Sequence, residues 1–267
     1  MFWILILAMV TFAEDPPVKA AGPTVEFVSK RFRMQEPNYF ILGFQGQSSK
    51  IKYKNQVKIL VSVGFNVVDH SIDSVLVPVG KDRVWFHRKL QATIGYRQKS
   101  FWNVYDKHTS RPMYENDYSP SAYLSYQTIN TTRLLPITIL TGYIHESNGE
   151  MDEKSRSWDR MYGGLAIGNL EFNPAFIQLD LWYPWGMEEN PEIWRHCGLG
   201  EVTVYYKIKN IGFSCAWKLI TPNIELGIYA KILVPTLYLQ LYLGSGENML
   251  DYKRRHECLR IGLATIF

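Results

Sequence analysis

Apolar and polar residues alternate along most of this chain, and that period of two limits its possible folds more than any other feature. From 237 to 243 every odd position is leucine, and the even positions are tyrosine or glutamine. Similar alternation covers 57–65 and 259–267. Successive side chains of a β-strand point to opposite faces, so this pattern indicates strands with one apolar face. The sequence therefore predicts an all-β protein.

Twelve segments of this kind can be marked, and turn-like stretches such as 210–212 and 221–223 separate them. No long linker or internal repeat divides the series, so one domain is predicted over 38–267. The segments cover residues 38–45, 56–68, 86–102, 122–129, 134–147, 157–168, 175–184, 200–208, 213–219, 223–232, 236–243 and 258–267.

A soluble β-sandwich and a transmembrane β-barrel both produce such alternation. The spacing of about twenty residues favours the barrel, because tilted membrane strands need about 9–11 residues each to cross. The 17 Tyr and 8 Trp residues suit aromatic girdles at membrane interfaces. A last strand leading to Phe267 is typical of outer-membrane proteins. We therefore predict a single 12-stranded antiparallel transmembrane β-barrel with a polar lumen, to which we assign Arg160, Tyr162, Tyr238, Gln240, Tyr242 and Arg260.

The first 37 residues do not alternate in this way. Residues 1–13 are almost wholly apolar and precede an acidic, proline-bearing stretch, which predicts a signal peptide cleaved after Ala13 or Ala21. The apolar run is too short to span a bilayer as a helix. Residues 14–37 are interpreted as a periplasmic leader.

Charge and cysteine content exclude other classes of protein. A net charge of +4 without basic runs among aromatic residues does not indicate nucleic-acid binding. The three cysteines, Cys197, Cys215 and Cys258, are scattered, without the spacing of a metal site or a disulfide framework. We interpret them as incidental thiols.

The polar stretch between the fifth and sixth segments contains the groups that acyl transfer needs. His145 and Ser147 share one face of the fifth segment, and Asp159 lies on the corresponding face of the sixth. A base, a hydroxyl and a carboxylate in a hairpin can form a nucleophilic site. Gly149 can turn its backbone N–H toward a developing oxyanion. Isolated polar residues at a strand end are more often simply solvated, but the shared face favours a site.

The same pattern indicates which way this site faces. Both faces are otherwise apolar, as Ile137, Ile139, Leu165 and Ile167 illustrate. In a barrel the apolar face looks outward at lipid. With an even number of strands, the connection over 148–156 lies at the extracellular end. His145, Ser147 and Asp159 are therefore expected on the outer wall, at the level of the outer leaflet. Membrane lipid is the substrate that such a site can reach.

These residues resemble the active-site signature of the outer-membrane phospholipase A family. The similarity is close over 145–160 and extends from about 38 to the end of the chain. Further matching motifs are Tyr96-Arg-Gln-Lys-Ser-Phe-Trp102, Ser110-Arg-Pro-Met-Tyr-Glu-Asn-Asp-Tyr118, Glu188-Glu-Asn-Pro-Glu192 and Gly246-Glu-Asn-Met-Leu-Asp-Tyr252. The resemblance implies a twelve-stranded barrel that hydrolyses phospholipid sn-1 and sn-2 esters, needs Ca²⁺ and acts as a homodimer in the bacterial outer membrane.

The resemblance also implies roles for individual residues. Ser147 corresponds to the nucleophile and His145 to the general base, while Asp159 stands where the family usually has Asn. The resemblance assigns the calcium site to Ser155, to the backbone carbonyl of Glu150 and to Ser110 from the partner subunit. Oxygen ligands of this kind suit a hard cation.

Gln98 and Tyr118 are the predicted dimer contacts. Gln98 shares a face with Leu90, Ile94 and Tyr96, so its amide is expected to point into lipid. A polar group in hydrocarbon is costly unless it finds a partner, and a symmetry mate would supply one. An amide at interface height touching headgroups or water is the alternative. Tyr118 matches a family contact position, although an aromatic girdle explains it equally well.

The sequence leaves two other functions open. Alternation alone is compatible with a pore or a structural barrel without chemistry. A lipid-facing serine would also serve a lipid A acyltransferase or deacylase.

Overall fold

The computed structural model describes residues 32–33, 37–45, 56–79, 82–104, 113–130, 135–168, 173–232 and 235–265. The predicted signal peptide over 1–13, almost all of the predicted leader, and Ser110 lie outside this described part. No helix in that part is long and apolar enough to cross a bilayer.

Antiparallel strands make up most of the described chain. They are β1 (Phe32–Arg33), β2 (Asn38–Gln45), β3 (Val57–Val79), β4 (Asp82–Trp102), β5 (Met113–Asn130), β6 (Leu135–Ser147), β7 (Ser157–Ile167), β8 (Ala175–Trp185), β9 (Gly200–Ile208), β10 (Ile211–Lys218), β11 (Ile224–Ala230), β12 (Thr236–Gly244) and β13 (His256–Thr265). A 3-10 turn (Asp152–Lys154) and helix α1 (Ile193–Cys197) lie in the connections.

Strands β2 to β13 close into a barrel. Each pairs with its neighbours in chain order, and β13 pairs with β2 to complete the ring. The two-residue β1 adds to β3 at Gly64 and Phe65. Closure satisfies the backbone hydrogen bonds without leaving an edge strand, which is what a sheet in hydrocarbon requires. The prediction of a single 12-stranded antiparallel barrel is confirmed.

The two faces of the wall differ as the alternation predicts. On β12, Leu237 is exposed on the outside, whereas Tyr238 and Gln240 are buried in the lumen. Exposed Ile94, Ile139 and other large apolar side chains cover the outer wall. Of the residues assigned to the lumen from the sequence, Tyr162 is half-buried. The others are buried, namely Arg160, Tyr238, Gln240, Tyr242 and Arg260.

Strands β3, β4 and β5 are longer than the sequence predicts. In β3 the register shifts between Asn66 and Val68 and again between Ile72 and Val75, and these bulges interrupt the period of two. Val67 and Val68 are consequently both exposed. In β5 the added residues 113–121 put carboxylates on the lumenal face and Pro120 on the outer one, a composition that does not resemble a strand.

The turn between β9 and β10 is shorter than the sequence predicts. The sequence predicts a turn over 210–212, but β10 already begins at Ile211. The connection consists of Lys209 and Asn210, where Lys209 adopts a positive φ of 52°. A two-residue hairpin turn needs such a conformation, so it needs no third residue. The turn over 221–223 agrees with the prediction.

Charged and aromatic side chains fill the lumen. Arg260 donates hydrogen bonds to Gln240 at 3.2 Å and to Glu247 at 2.5 and 2.9 Å. Lys58 lies 3.3 Å from Glu225. Below this network the rings of Tyr229 and Tyr238 are stacked with centroids 4.4 Å apart. The lumen is therefore a packed polar core.

Two connections cover the end of the barrel that carries the 148–156 loop. The 186–199 and 245–255 connections lie at that end because β6, β8 and β12 run in the same direction. The backbone N–H groups of Met249 and Leu250 donate to the carboxylates of Asp117 and Glu115. An apolar cluster completes this cap and consists of Trp158, Ile193, Met249 and Tyr252.

The filled lumen predicts a lower ion conductance than that of an open pore. We expect refolded protein in planar bilayers to show no large, steady ion conductance, because buried side chains occupy the path. An open porin reconstituted in the same way is the control. A large and stable conductance would contradict the packed lumen and favour the pore.

Candidate active site

The pairing of β6 with β7 brings His145 and Asp159 together. The two residues are direct partners in the register, and Ser147 is paired with Ser157 two residues further along. The Nδ1 atom of His145 lies 2.8 Å from Oδ1 of Asp159. Their side chains are 37% and 21% exposed, so the pair is open to the outside of the wall.

This contact indicates which nitrogen of a neutral His145 carries the proton. An ionised carboxylate only accepts hydrogen bonds, so Nδ1 must be the donor to Asp159. Nε2 then keeps its lone pair and can act as a base. Ser147 lies on the same face of β6, two residues from His145, and is half-buried. The arrangement provides an oriented base beside a hydroxyl.

Tyr143 adds a contact that the sequence analysis missed. Its hydroxyl donates to the same Oδ1 atom of Asp159 at 2.5 Å. Its ring packs against Trp185, with centroids 5.7 Å apart. On the other side, a Cβ atom at Gly186 would lie only 2.5 Å from Oδ2 of Asp159. The carboxylate is thus held by Tyr143 and His145 against a glycine. The one sequence feature that could indicate this contact is that Tyr143 lies on the same face of β6 as His145.

Asn148 organises the loop between the two strands. Its side-chain N–H donates to the carbonyl of Lys154 at 2.9 Å, and its Oδ1 accepts from the backbone N–H of Arg156 at 2.9 Å. The same Oδ1 lies 3.3 Å from the backbone N of Glu150. Asn148 is buried, so these bonds are shielded from competing water. They give the 148–156 loop a defined shape.

Gly149 occupies a position that suits glycine for two reasons. Its φ of +67° is in the left-handed region. A Cβ atom there would also lie 3.1 Å from the ring of Tyr118. Gly149 is exposed and follows Ser147 by two residues, so its backbone is next to the candidate nucleophile.

Glu189, in the 186–199 connection, forms hydrogen bonds with the end of the 148–156 loop and the start of β7. Its Oε2 accepts hydrogen bonds from Ser155 at 2.8 Å and from Ser157 at 3.3 Å. The neighbouring Asn190 accepts from the backbone N–H of Ser157 at 2.8 Å. The sequence motif over 188–192 resembles that of the outer-membrane phospholipase A family, but the sequence alone assigns these residues no role. The hydroxyl and carboxylate oxygens gathered here form an oxygen-rich site of the kind that a hard cation prefers.

Glu146 supports the site from the lumenal side. It points inward between His145 and Ser147 and is buried. Its carboxylate pairs with Arg160, lies 3.4 Å from Arg97, and accepts a hydrogen bond from the indole of Trp158 at 3.2 Å. Buried charges persist only when they are paired, so this network holds β6 and β7 in register behind the site.

The predicted dimer residues lie in one row across the wall. Gln98 is opposite Tyr118, which in turn is opposite Ser147. Gln98 accepts a hydrogen bond from Tyr96 at 3.0 Å and donates one to Ser100 at 3.1 Å. Its amide therefore has partners within the chain, and a symmetry mate could use its remaining donor and acceptor. The dimer role remains a prediction.

The Asn148 contacts lead to a test that does not depend on activity. Asn148→Ala removes two good loop hydrogen bonds, worth about 2 kcal/mol together, so the open loop should be about 30-fold more populated. Trypsin should then cut the folded barrel faster at Lys154 and Arg156. Met151→Ala, in the same loop but 81% exposed, is the control and should leave the rate unchanged. Equal cleavage rates in the two variants would contradict the role of Asn148.

Known proteins of similar sequence and fold can be compared with this barrel. The family model described as phospholipase A1 matches residues 31–265. Phospholipase A1 of Escherichia coli K12 is 30% identical over 177 residues, which cover 63% of this chain and 60% of the relative. Phospholipase A1 of Klebsiella pneumoniae is 30% identical over 175 residues, with the same coverage. The matched region thus spans less than two thirds of these relatives.

Solved structures show the same architecture. Outer membrane phospholipase A from Escherichia coli superimposes with a TM-score of 0.69 at 24% identity, covering 88% of this chain and 98% of that one. A calcium-bound dimer of outer membrane phospholipase from Salmonella typhi gives a TM-score of 0.71 at 22% identity, covering 90% and 94%. The chain is therefore a closed β-barrel that belongs to the phospholipase A1 family.

Proposed function

We propose that this barrel hydrolyses the acyl esters of membrane phospholipids at Ser147, with His145 as the general base and Asp159 orienting it. The observation that carries the proposal is the 2.8 Å contact between His145 and Asp159 on the outer wall, beside Ser147. A base oriented by an acid and adjacent to a hydroxyl is the arrangement that activates a serine. Membership of the phospholipase A1 family supports the same substrate.

The proposed reaction follows from the positions of the groups. His145 Nε2 takes the proton of Ser147 as Oγ attacks the ester carbonyl, and Asp159 stabilises the resulting imidazolium. The backbone N–H of Gly149 faces the developing oxyanion. His145 then gives the proton to the leaving alcohol, releasing a lysophospholipid. Water, deprotonated by His145, cleaves the acyl-serine and frees the fatty acid. Both sn-1 and sn-2 esters, and lysophospholipids, are proposed substrates.

The lipid-facing position accounts for how such substrates reach the site. Tyr143 and Met161 beside the site are 40% and 54% exposed, and together with Leu165 they continue the apolar wall. Acyl chains can lie along this wall while the ester reaches Ser147 at the membrane interface. A substrate therefore need not leave the bilayer completely.

Calcium and a second copy of the chain complete the proposal. The Ser155 hydroxyl and the backbone carbonyl of Glu150 would hold Ca²⁺, together with Ser110 of the partner copy. The position of Ser155 beside the Glu189 carboxylate supports a hard-cation site, because its oxygens match calcium's ligand preference. Bound calcium would supply positive charge near the oxyanion. Gln98 and Tyr118 are the proposed subunit contacts.

Substitution of the nucleophile tests the catalytic assignment. We expect Ser147→Ala to lower phospholipid hydrolysis by at least about 10³-fold while heat-modifiable gel migration stays intact. Asp159→Asn keeps an oxygen for His145 and should retain far more activity than Asp159→Ala. Ser214→Ala, on β10 and away from the site, is the matched control. Full activity in Ser147→Ala would contradict the assignment. Faster release of acyl chains from lipid A than from phosphatidylethanolamine would instead favour the lipid A enzyme.

Calcium and dimerisation should be coupled if the two copies share the ion site. Calcium then binds the dimer more tightly and favours the dimer by the same free energy. We expect calcium to raise the cross-linked dimer fraction, and Ser110→Ala to weaken both calcium activation and dimer yield. Thr109→Ala, a substitution of the residue next to Ser110, is the control and should leave both unchanged. A dimer fraction that is indifferent to calcium at every protein concentration would contradict the coupling and leave the catalytic assignment in place.

A further inference from the structure

A second cluster of metal-ligating side chains lies inside the barrel, apart from the candidate active site. Glu247, His256 and Cys258 are all buried, and their ligand atoms lie within 4.8 Å of one another. No other such group with three His, Cys, Asp or Glu residues occurs in the described part of the chain. The reaction proposed above uses none of the three residues.

Two structural elements bring this cluster together. His256 and Cys258 are two residues apart on β13, so both side chains point to the lumen. Glu247 belongs to the 245–255 connection that caps the barrel. The cluster therefore joins the cap to the wall.

His256 is the side chain that most needs a ligand. It is fully buried, and neither ring nitrogen makes a hydrogen bond of normal geometry within the described residues. Nδ1 lies 3.3 Å from Oε2 of Glu247. The polar neighbours of the ring are the Glu247 carboxylate and the Cys258 thiol, and a metal ion held by all three groups would satisfy the buried imidazole.

Glu247 is available as an oxygen ligand. Its carboxylate oxygens accept hydrogen bonds from Arg260 at 2.5 and 2.9 Å, and Oε1 lies 3.2 Å from Nζ of Lys58. A carboxylate held between two cations carries the negative charge that a metal ligand needs. The two cations also repel a metal ion, and ionisation of Cys258 on binding would offset part of that repulsion.

We propose that Glu247, His256 and Cys258 bind a divalent transition metal of the zinc class. One nitrogen, one sulfur and one oxygen ligand suit zinc and its neighbours, whereas calcium takes oxygen alone. Zinc bonds of about 2.0–2.3 Å place tetrahedral ligand atoms about 3.3–3.8 Å apart, so the most distant ligand atoms of the cluster must approach one another by about 1 Å. Water is the proposed fourth ligand, and the thiol proton is released to solvent.

Such an ion would link the cap to the barrel wall. The connection that holds Glu247 also places Met249 and Leu250 against the carboxylates of β5. Metal binding should therefore stabilise the cap, and the cap must open, or the barrel must be refolding, for the ion to enter the buried site.

Refolding with cobalt tests the proposal by a readout that is independent of hydrolysis. The full chain is refolded with Co²⁺, excess metal is removed, and the bound metal is counted. We expect about one Co²⁺ per chain with a thiolate-to-cobalt charge-transfer band, displaced by Zn²⁺ and not by Ca²⁺. Cys258→Ser and His256→Asn should lose the band. Cys215→Ser, a thiol on β10, is the matched control and should keep it.

Two results would overturn the proposal. One is a folded wild-type barrel, judged by heat-modifiable migration, that retains no Co²⁺ or binds it without the thiolate band. The other is an unchanged band in a folded Cys258→Ser variant. If Cys258→Ser does not fold, the wild-type spectrum and the His256→Asn variant, which should bind Co²⁺ at least tenfold more weakly, still decide the question.

Discussion

Closure of the sheet is the constraint on which the rest of this molecule depends. In hydrocarbon every backbone N–H and C=O must find a partner within the protein, and only a closed barrel satisfies them with strands. Closure fixes the register of each strand pair, and with it the face on which each side chain lies. His145 meets Asp159 because they are direct partners across β6 and β7. A shift of one residue in that register would turn one of them into the lumen.

The buried lumenal charges secure that register. Glu146 sits directly behind the site and pairs with Arg160 and Arg97. Loss of one partner from a buried pair leaves an uncompensated charge, at a cost of about 3–5 kcal/mol. The Arg260 and Glu247 pair performs the same task under the cap. The outer wall can therefore expose the polar candidate catalytic groups because the opposite face of the same strands is held by charges.

The sequence predicts much of this arrangement, because a period of two determines the face of a strand from local residues alone. It placed His145, Ser147 and Asp159 on one wall and Arg260 in the lumen. It could not predict contacts set by distant segments, such as Glu189 with Ser155, which are 34 residues apart. Nor could it separate Tyr143 from other outward aromatics, since only the hydrogen bond to Asp159 distinguishes it. Strands β3 and β5 exceeded their predicted lengths because bulges and lumenal carboxylates obscure the period.

The proposed function requires a reactive serine that faces the membrane on the outer wall. A lipid-like fluorophosphonate, which reacts with activated serine hydroxyls, tests it most directly when the modified residue is identified by mass spectrometry in the folded barrel. We expect a single adduct on Ser147, lost in His145→Ala and formed faster with a long-chain probe than with a short, water-soluble one. An adduct on a different serine, or none on the folded protein, would contradict it.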